Sequence, residues 1–84
     1  MQSEYSFMAI TVRYFASLRE KLGRDLDTVE YEDGISVAGV WAMANAGRPM
    51  PESMMIAVNM NYVKGDVPLS DGDEVAFFPA VTGG

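Results

Sequence analysis

The chain offers little for chemistry except its own end, the segment VAFFPAVTGG from Val75 to Gly84. Histidine and cysteine are both absent. Their absence removes the thiol nucleophile, the thiolate ligand, the imidazole base and the usual zinc and iron–sulfur sites together. The lysines, tyrosines, serines and aspartates form no spacing in which one could activate another. The stretches GRPMPES and KGD are too short for phosphate loops, and the Walker and dinucleotide patterns are missing. No metal site is read either. Asp71-Gly72-Asp73 is a turn, without the ligand spread and closing Glu of a calcium loop. The seven methionines follow no repeating spacing and are read as gap-fillers in a small core.

What remains is the terminal carboxylate of Gly84. With a reference pKa of about 3.5 it is ionised at neutral pH and a poor electrophile, so it needs activation before a nucleophile can attack. The residues around it suit a tether. Pro79 removes a donor and ends strand pairing. The segment from Pro79 to Gly84 spans about 20 Å when extended. Gly83 and Gly84 carry no side chains, so a narrow channel can close on their backbone, and Thr82 is the one tail side chain able to bond its walls.

The body must hold this tether. Eighty-four residues make one domain with one core. Residues 1 to 7 show no period and read as an extension before a domain spanning 8–84, whose segment 79–84 is a flexible tail. Met8, Ile10, Val12 and Tyr14 alternate with Ala9, Thr11 and Arg13, as a half-buried strand requires. A short helix is expected over Ala16 to Leu22, capped by Gly23. A second strand is expected over Leu26 to Tyr31, closed by Asp33-Gly34. Ser36 is placed as N-cap of a second helix whose Val37, Val40, Trp41 and Ala44 share one face, with Gly47 as its stop and Trp41 in the core. RPMPES is a loop, and MMIAVN, YV and EVAFF read as three more strand pieces. This order points to an α+β domain with helices packed on one mixed sheet.

Six Lys and Arg stand against twelve Asp and Glu, a formal net charge of −6, which argues against nucleic acid as a partner. Residues 49 to 84 contain Lys64 as their one cation against Glu52, Asp66, Asp71, Asp73 and Glu74. An acidic surface beside the tail is therefore expected to steer the domain onto a positively charged partner. The start, MQSEYSF, has neither basic residues nor a long apolar run, and no stretch approaches a membrane span. A soluble, cytoplasmic protein without a membrane partner is expected.

The segment LSDGDEVAFFPAVTGG, Leu69 to Gly84, resembles the C-terminal signature of the MoaD family of ubiquitin-like sulfur carriers, the small subunits of molybdopterin synthase. ITVRYFASLRE resembles the family's first strand and helix start, and AVN its third strand, so the resemblance covers residues 8 to 84. It implies a ubiquitin-like β-grasp fold with the first and last strands paired centrally. It further implies that a ubiquitin-activator-like enzyme uses ATP to adenylate Gly84, that sulfur displaces AMP to leave a thiocarboxylate, and that the tail enters the synthase large subunit within a heterotetramer. There the sulfur passes to a cyclic pyranopterin monophosphate. No permanently bound cofactor is implied. By the same resemblance Gly83 permits channel passage, while Phe15, Phe78, Pro79, Val81 and Thr82 meet the partner. Ala80 stands where the family commonly has a second proline. A carrier for thiamine or tRNA thiolation, a ubiquitin-like modifier and a plain β-grasp interaction domain are the alternative readings. The ferredoxin form of the fold is excluded by the missing cysteines.

Overall fold

The structure, a computed structural model, describes residues 8–51 and 53–79. Residues 1–7, read as an extension, lie outside it. The elements are β1 (Ala9–Tyr14), α1 (Ala16–Leu22), β2 (Leu26–Glu30), α2 (Val37–Ala44), β3 (Met54–Val58), β4 (Asn61–Val63) and β5 (Glu74–Pro79). Five strands form one mixed sheet in the order β2-β1-β5-β3-β4. The last strand is central and runs parallel to the first, with Val12 opposite Val75 and Tyr14 opposite Phe77. The other pairings are antiparallel.

Alternation along the strands divides the sheet into two faces. Ile10, Val12 and Tyr14 of β1 and Val75 and Phe77 of β5 turn inward and are buried. Leu18 of α1 and Val37, Val40 and Trp41 of α2 cover them, so both helices lie on this face. Trp41 is core as expected, its ring edge-on to Phe77 at 5.0 Å. Burial of a side chain of this size contributes about 1.5–3 kcal/mol, and aromatic geometry adds about 0.5–1.5 kcal/mol per pair.

The helix ends follow local chemistry. α1 stops at Gly23, whose φ of +78° lets its N–H donate to the Arg19 carbonyl at 2.9 Å. Ser36 caps α2, its Oγ accepting from the Gly39 N–H at 3.5 Å. Gly47 is not the direct stop expected of it. The helix ends at Ala44, Ala46 takes the left-handed conformation at φ +57°, and the Gly47 N–H closes onto the Ala42 carbonyl at 2.8 Å. That closure needs its left-handed residue one position earlier than the glycine, so the apolar period, which ends at Ala44, sets the boundary.

Two further expectations are corrected. The second strand ends at Glu30, leaving Tyr31 just beyond it and packed against the core. Among the described methionines, Met50 and Met54 pack against the core, whereas Met8, Met43, Met55 and Met60 are exposed, the last at 88%. β-Branched and aromatic side chains already fill most of the inner face, so Met50 and Met54 alone of the described methionines pack there. Among the described residues no helix is long and apolar enough to cross a membrane.

Candidate functional site

Pro79 is the last residue of β5, opposite Met54 of β3, so the tail begins from the central strand of the sheet. β1 flanks β5 as far as Phe77 and β3 as far as Pro79, which fixes the position of the anchor. Ala80, Val81, Thr82, Gly83 and Gly84 lie outside the described residues, and their anchor is what the structure places.

Beside that anchor the uncovered face of the sheet carries aromatic side chains. Each adjacent pair splits as strand geometry demands: Tyr14 and Phe77 turn inward, Phe15 and Phe78 outward. The two outward rings stack, with centroids 4.9 Å apart and planes 11° from parallel. Tyr62 of β4 brings a third ring to 6.0 Å from Phe78. Ala57 and Ala76, opposite one another on β3 and β5, have side chains too short to fill the space between larger neighbours. The result is an open cleft of about 520 Å³ with Phe15, Phe78, Tyr62 and Met60 along its walls. Arg13 and Glu74 form an ion pair at its border.

Sequence reasoning finds Phe15, Phe78 and Pro79 and misses Tyr62, Met55 and Met60. β4 has three residues, too few for alternation to declare a face, and Tyr62 acquires its position only through pairing with Ala57. Met55 joins the patch opposite Phe78. Met60 reaches the cleft from the β3–β4 turn, where Asn59 and Met60 have φ values of +50° and +72°. Asn suits that conformation and Met does not, at a cost of about 1–2 kcal/mol.

Of the acidic residues expected beside the tail, Glu52 lies outside the described residues, and three of the others stand away from Pro79. Asp71, Asp73 and Glu74 sit at the start of β5, about 17 Å along the strand from Pro79 at roughly 3.4 Å per residue. Their carboxylates are also occupied. Asp71 accepts from the Ala9 N–H at 3.1 Å, and Asp73 from the Ser70 N–H at 2.8 Å and Asn59 Nδ2 at 2.9 Å. Asp66 accepts from the Ala38 N–H near the start of α2 at 2.8 Å. These acids tie turns and helix ends, the use that the backbone's orphan N–H groups make of short carboxylates.

A polar network fixes the other side of β1. The Tyr14 hydroxyl donates to Asp27 at 2.9 Å, and Asp27 also receives Arg24 Nε at 2.7 Å. Arg24 Nη2 donates to the Ala44 carbonyl at 2.8 Å and to Asn45 Oδ1 at 2.6 Å, which ties the end of α2 to β2. Burial, and then the neighbouring Asp27 carboxylate, hold the Tyr14 phenol above its ordinary pKa. Asp27 likewise raises Arg24. The network ties β1, β2 and the end of α2 together and so locks the scaffold.

Residues 12–84 match the model of the ThiS family. The chain is 41% identical over 85 residues to the molybdopterin synthase sulfur carrier subunit of Escherichia coli, covering 89% of this chain and 99% of that protein. It is 39% identical over 83 residues to the subunit of the same name from Chlamydomonas reinhardtii, covering 92% of this chain and 100% of that one. In three dimensions it is similar to the crystal structure of SAMP1 from Haloferax volcanii, with a TM-score of 0.72 at 20% identity over 90% of this chain and 99% of that one. That likeness shows the fold, the α+β β-grasp described above. A family model matched by residues 12–84, beside relatives alike along nearly their whole length, shows that the chain belongs to the ThiS family.

Proposed function

We propose that the chain is the sulfur carrier of molybdopterin synthase and works through Gly84. The reading is supported most by one arrangement: an exposed aromatic cleft adjoins the strand end from which a tail ending in Gly83 and Gly84 departs. The relatives that match the chain are named for this role. A ubiquitin-activator-like enzyme first joins the Gly84 carboxylate to the α-phosphorus of ATP, releasing pyrophosphate and leaving an acyl adenylate. A sulfur nucleophile then adds to the acyl carbon and AMP departs, which leaves a thiocarboxylate. In the large subunit this sulfur attacks the cyclic pyranopterin monophosphate. Water then cleaves the acyl–sulfur bond so that the sulfur stays on the pterin and Gly84 returns to a carboxylate, and a second charged carrier delivers the second sulfur of the dithiolene.

Such a division of labour fits a chain with no His and no Cys. The carrier supplies reach and docking, and its partners supply acid–base groups. Phe15, Phe78 and Pro79, with Val81 and Thr82 of the tail, meet the large subunit in a heterotetramer. In that complex the protein is one subunit of a sulfurtransferase. Intact-mass spectrometry after incubation with ATP, a sulfur source and the activating enzyme tests the reading. A shift equal to one oxygen replaced by sulfur, located on Gly84 by fragmentation, is expected. An unchanged terminus under conditions that charge a known carrier overturns it, and conjugates on lysines of other proteins point to a modifier instead.

A further inference from the structure

The hairpin of β3 and β4 turns on two residues, Asn59 and Met60, because Val58 pairs with Asn61. Both have positive φ, +50° and +72°, the geometry of a tight hairpin turn that favours Asn first and Gly second. Asn59 fits its position and is fixed there. Its N–H donates to the Glu74 carbonyl at 2.8 Å, its Oδ1 accepts from the Glu74 N–H at 2.9 Å, and its Nδ2 donates to Asp73 Oδ1 at 2.9 Å. Met60 stands where glycine would be free of strain. The turn itself gains nothing from a long side chain at this position, which points to a use outside the turn.

The side chain bounds the aromatic cleft. Met60 lines it together with Phe15, Tyr62 and Phe78, yet is 88% exposed. The pinned turn thus holds a thioether at the rim of an apolar surface and open to solvent at once. No other described methionine combines the two: Met50 and Met54 pack against the core, Met8 and Met43 do not line the cleft, and Met55, on the same face, is half as exposed at 42%. A thioether so placed is open to two-electron oxidation, and the product is polar. Ala57, Ala76 and the two Phe rings offer a sulfoxide oxygen no donor, and the charged pair at the border, Arg13 and Glu74, is engaged with itself.

We propose that Met60 is an oxidation site whose state governs docking at the aromatic face, with a peroxide as the oxidant. The sulfur lone pair attacks one peroxide oxygen and the O–O bond breaks. That oxygen stays on sulfur as the sulfoxide and the other leaves as water, so sulfur gives up the two electrons that the peroxide gains. A thiol-dependent sulfoxide reductase reverses the step, the oxygen leaving as water while two thiols join in a disulfide. The inference rests on the carrier reading above, which gives this face to the large subunit. A polar oxygen covered there without a donor opposes association, so the oxidised carrier keeps its fold and its Gly84 but docks poorly.

The test treats the full chain with hydrogen peroxide in rising doses, follows each methionine by peptide mass spectrometry, and measures thermal midpoint and large-subunit affinity on the same samples. Met60 is expected to oxidise before Met50, Met54 and Met55, with the midpoint within about 2 °C of the untreated chain and Kd raised about tenfold or more. Methionine sulfoxide reductases of both epimer specificities should restore the affinity. Met60→Leu, apolar and inert to peroxide, should bind like the untreated wild type and hold that affinity through the same dose, whereas Met60→Gln should bind weakly with no peroxide at all. Oxidation of Met60 later than Met55, unchanged Kd once Met60 is fully oxidised, or an equal loss of affinity in treated Met60→Leu overturns the assignment. Failure of the carrier reading is distinguishable and takes this inference with it, since the untreated wild-type chain then gains no sulfur and binds no large subunit.

Discussion

The ring of Phe15, which follows β1, stacks on the ring of Phe78 in β5 at 4.9 Å, on the face of the sheet that neither helix covers. Phe15 retains 36% of its surface and Phe78 is half-buried. Each ring limits the rotamers of the other, so much of the ordering cost of an aromatic anchor is met before any partner arrives. Ala57 and Ala76 keep the floor between them open, and Tyr62 closes the far side. The pair is thus a preordered surface feature rather than a displaced piece of core, and the carrier reading proposed above uses it for docking.

Replacing Phe78 by Ala should separate binding from stability. Because Phe78 is only partly buried on the uncovered face, the loss to folding is expected at about 1 kcal/mol. Loss of affinity for the large subunit is expected at about 2 kcal/mol or more, roughly thirtyfold in Kd, as for a central aromatic anchor. Titration calorimetry beside urea unfolding checks both. Unchanged affinity would remove Phe78 from the interface.

One residue earlier, the outcome inverts. Phe77 is fully buried between Tyr14 and Trp41, and Phe77→Ala should cost about 3–5 kcal/mol of stability by leaving a cavity among close-packed rings. In a domain this small that is a large share of the total. A drop below about 1.5 kcal/mol in urea unfolding would mean that the core closes over the gap.

Alternation makes it legible that one of Phe77 and Phe78 faces out, because a strand residue and its neighbour face opposite ways, while the choice of Phe78 comes from the family resemblance. Also legible are the α1 boundary at Gly23, the Ser36 cap and the inward Trp41, all of which depend on contacts within a few residues. What escaped depends on pairing between distant segments. Tyr62 joins the aromatic face only through its register with Ala57, and Met55 only through its register with Phe78. The acidic residues misled for the same reason. Asp71 and Asp73 are close to Pro79 in sequence, but an extended strand places its two ends at opposite edges of the sheet.

The Tyr14 phenol ties folding to alkaline pH. Its folded pKa lies above the ordinary phenol value of 10.0, through burial first and the Asp27 carboxylate second. The folded state therefore holds this proton more tightly than the unfolded chain. The resulting stability is complete below about pH 10 and is lost as pH rises through the folded value. Tyr14→Phe keeps the ring but leaves Asp27 and Asn45 without the hydroxyl, and should cost about 1 kcal/mol at neutral pH. Its thermal midpoint should fall less steeply than the wild type's above about pH 10. Identical alkaline limbs for the two proteins would place the pH dependence in other groups.

The terminal position of Gly84 carries the strictest demand. Sulfur attached to the last carboxyl can be delivered only if that carboxyl ends the chain, since an added residue converts the reacting carbon into an amide. Amides resist adenylation because they have no free oxygen anion to attack ATP. Adding one Ala after Gly84 should therefore abolish thiocarboxylate formation on that residue's carbonyl, and deleting Gly84 should withdraw the end by one residue, about 3.5 Å, from the activating centre. In both variants the body from β1 to β5 is unaltered, so the thermal midpoint should match the wild type, and the Phe15–Phe78 face should still bind the large subunit. Coupled assays of sulfur incorporation, run beside calorimetry on the same samples, distinguish lost chemistry from lost docking. Sulfur transfer by either variant at the wild-type rate would sever the function from Gly84.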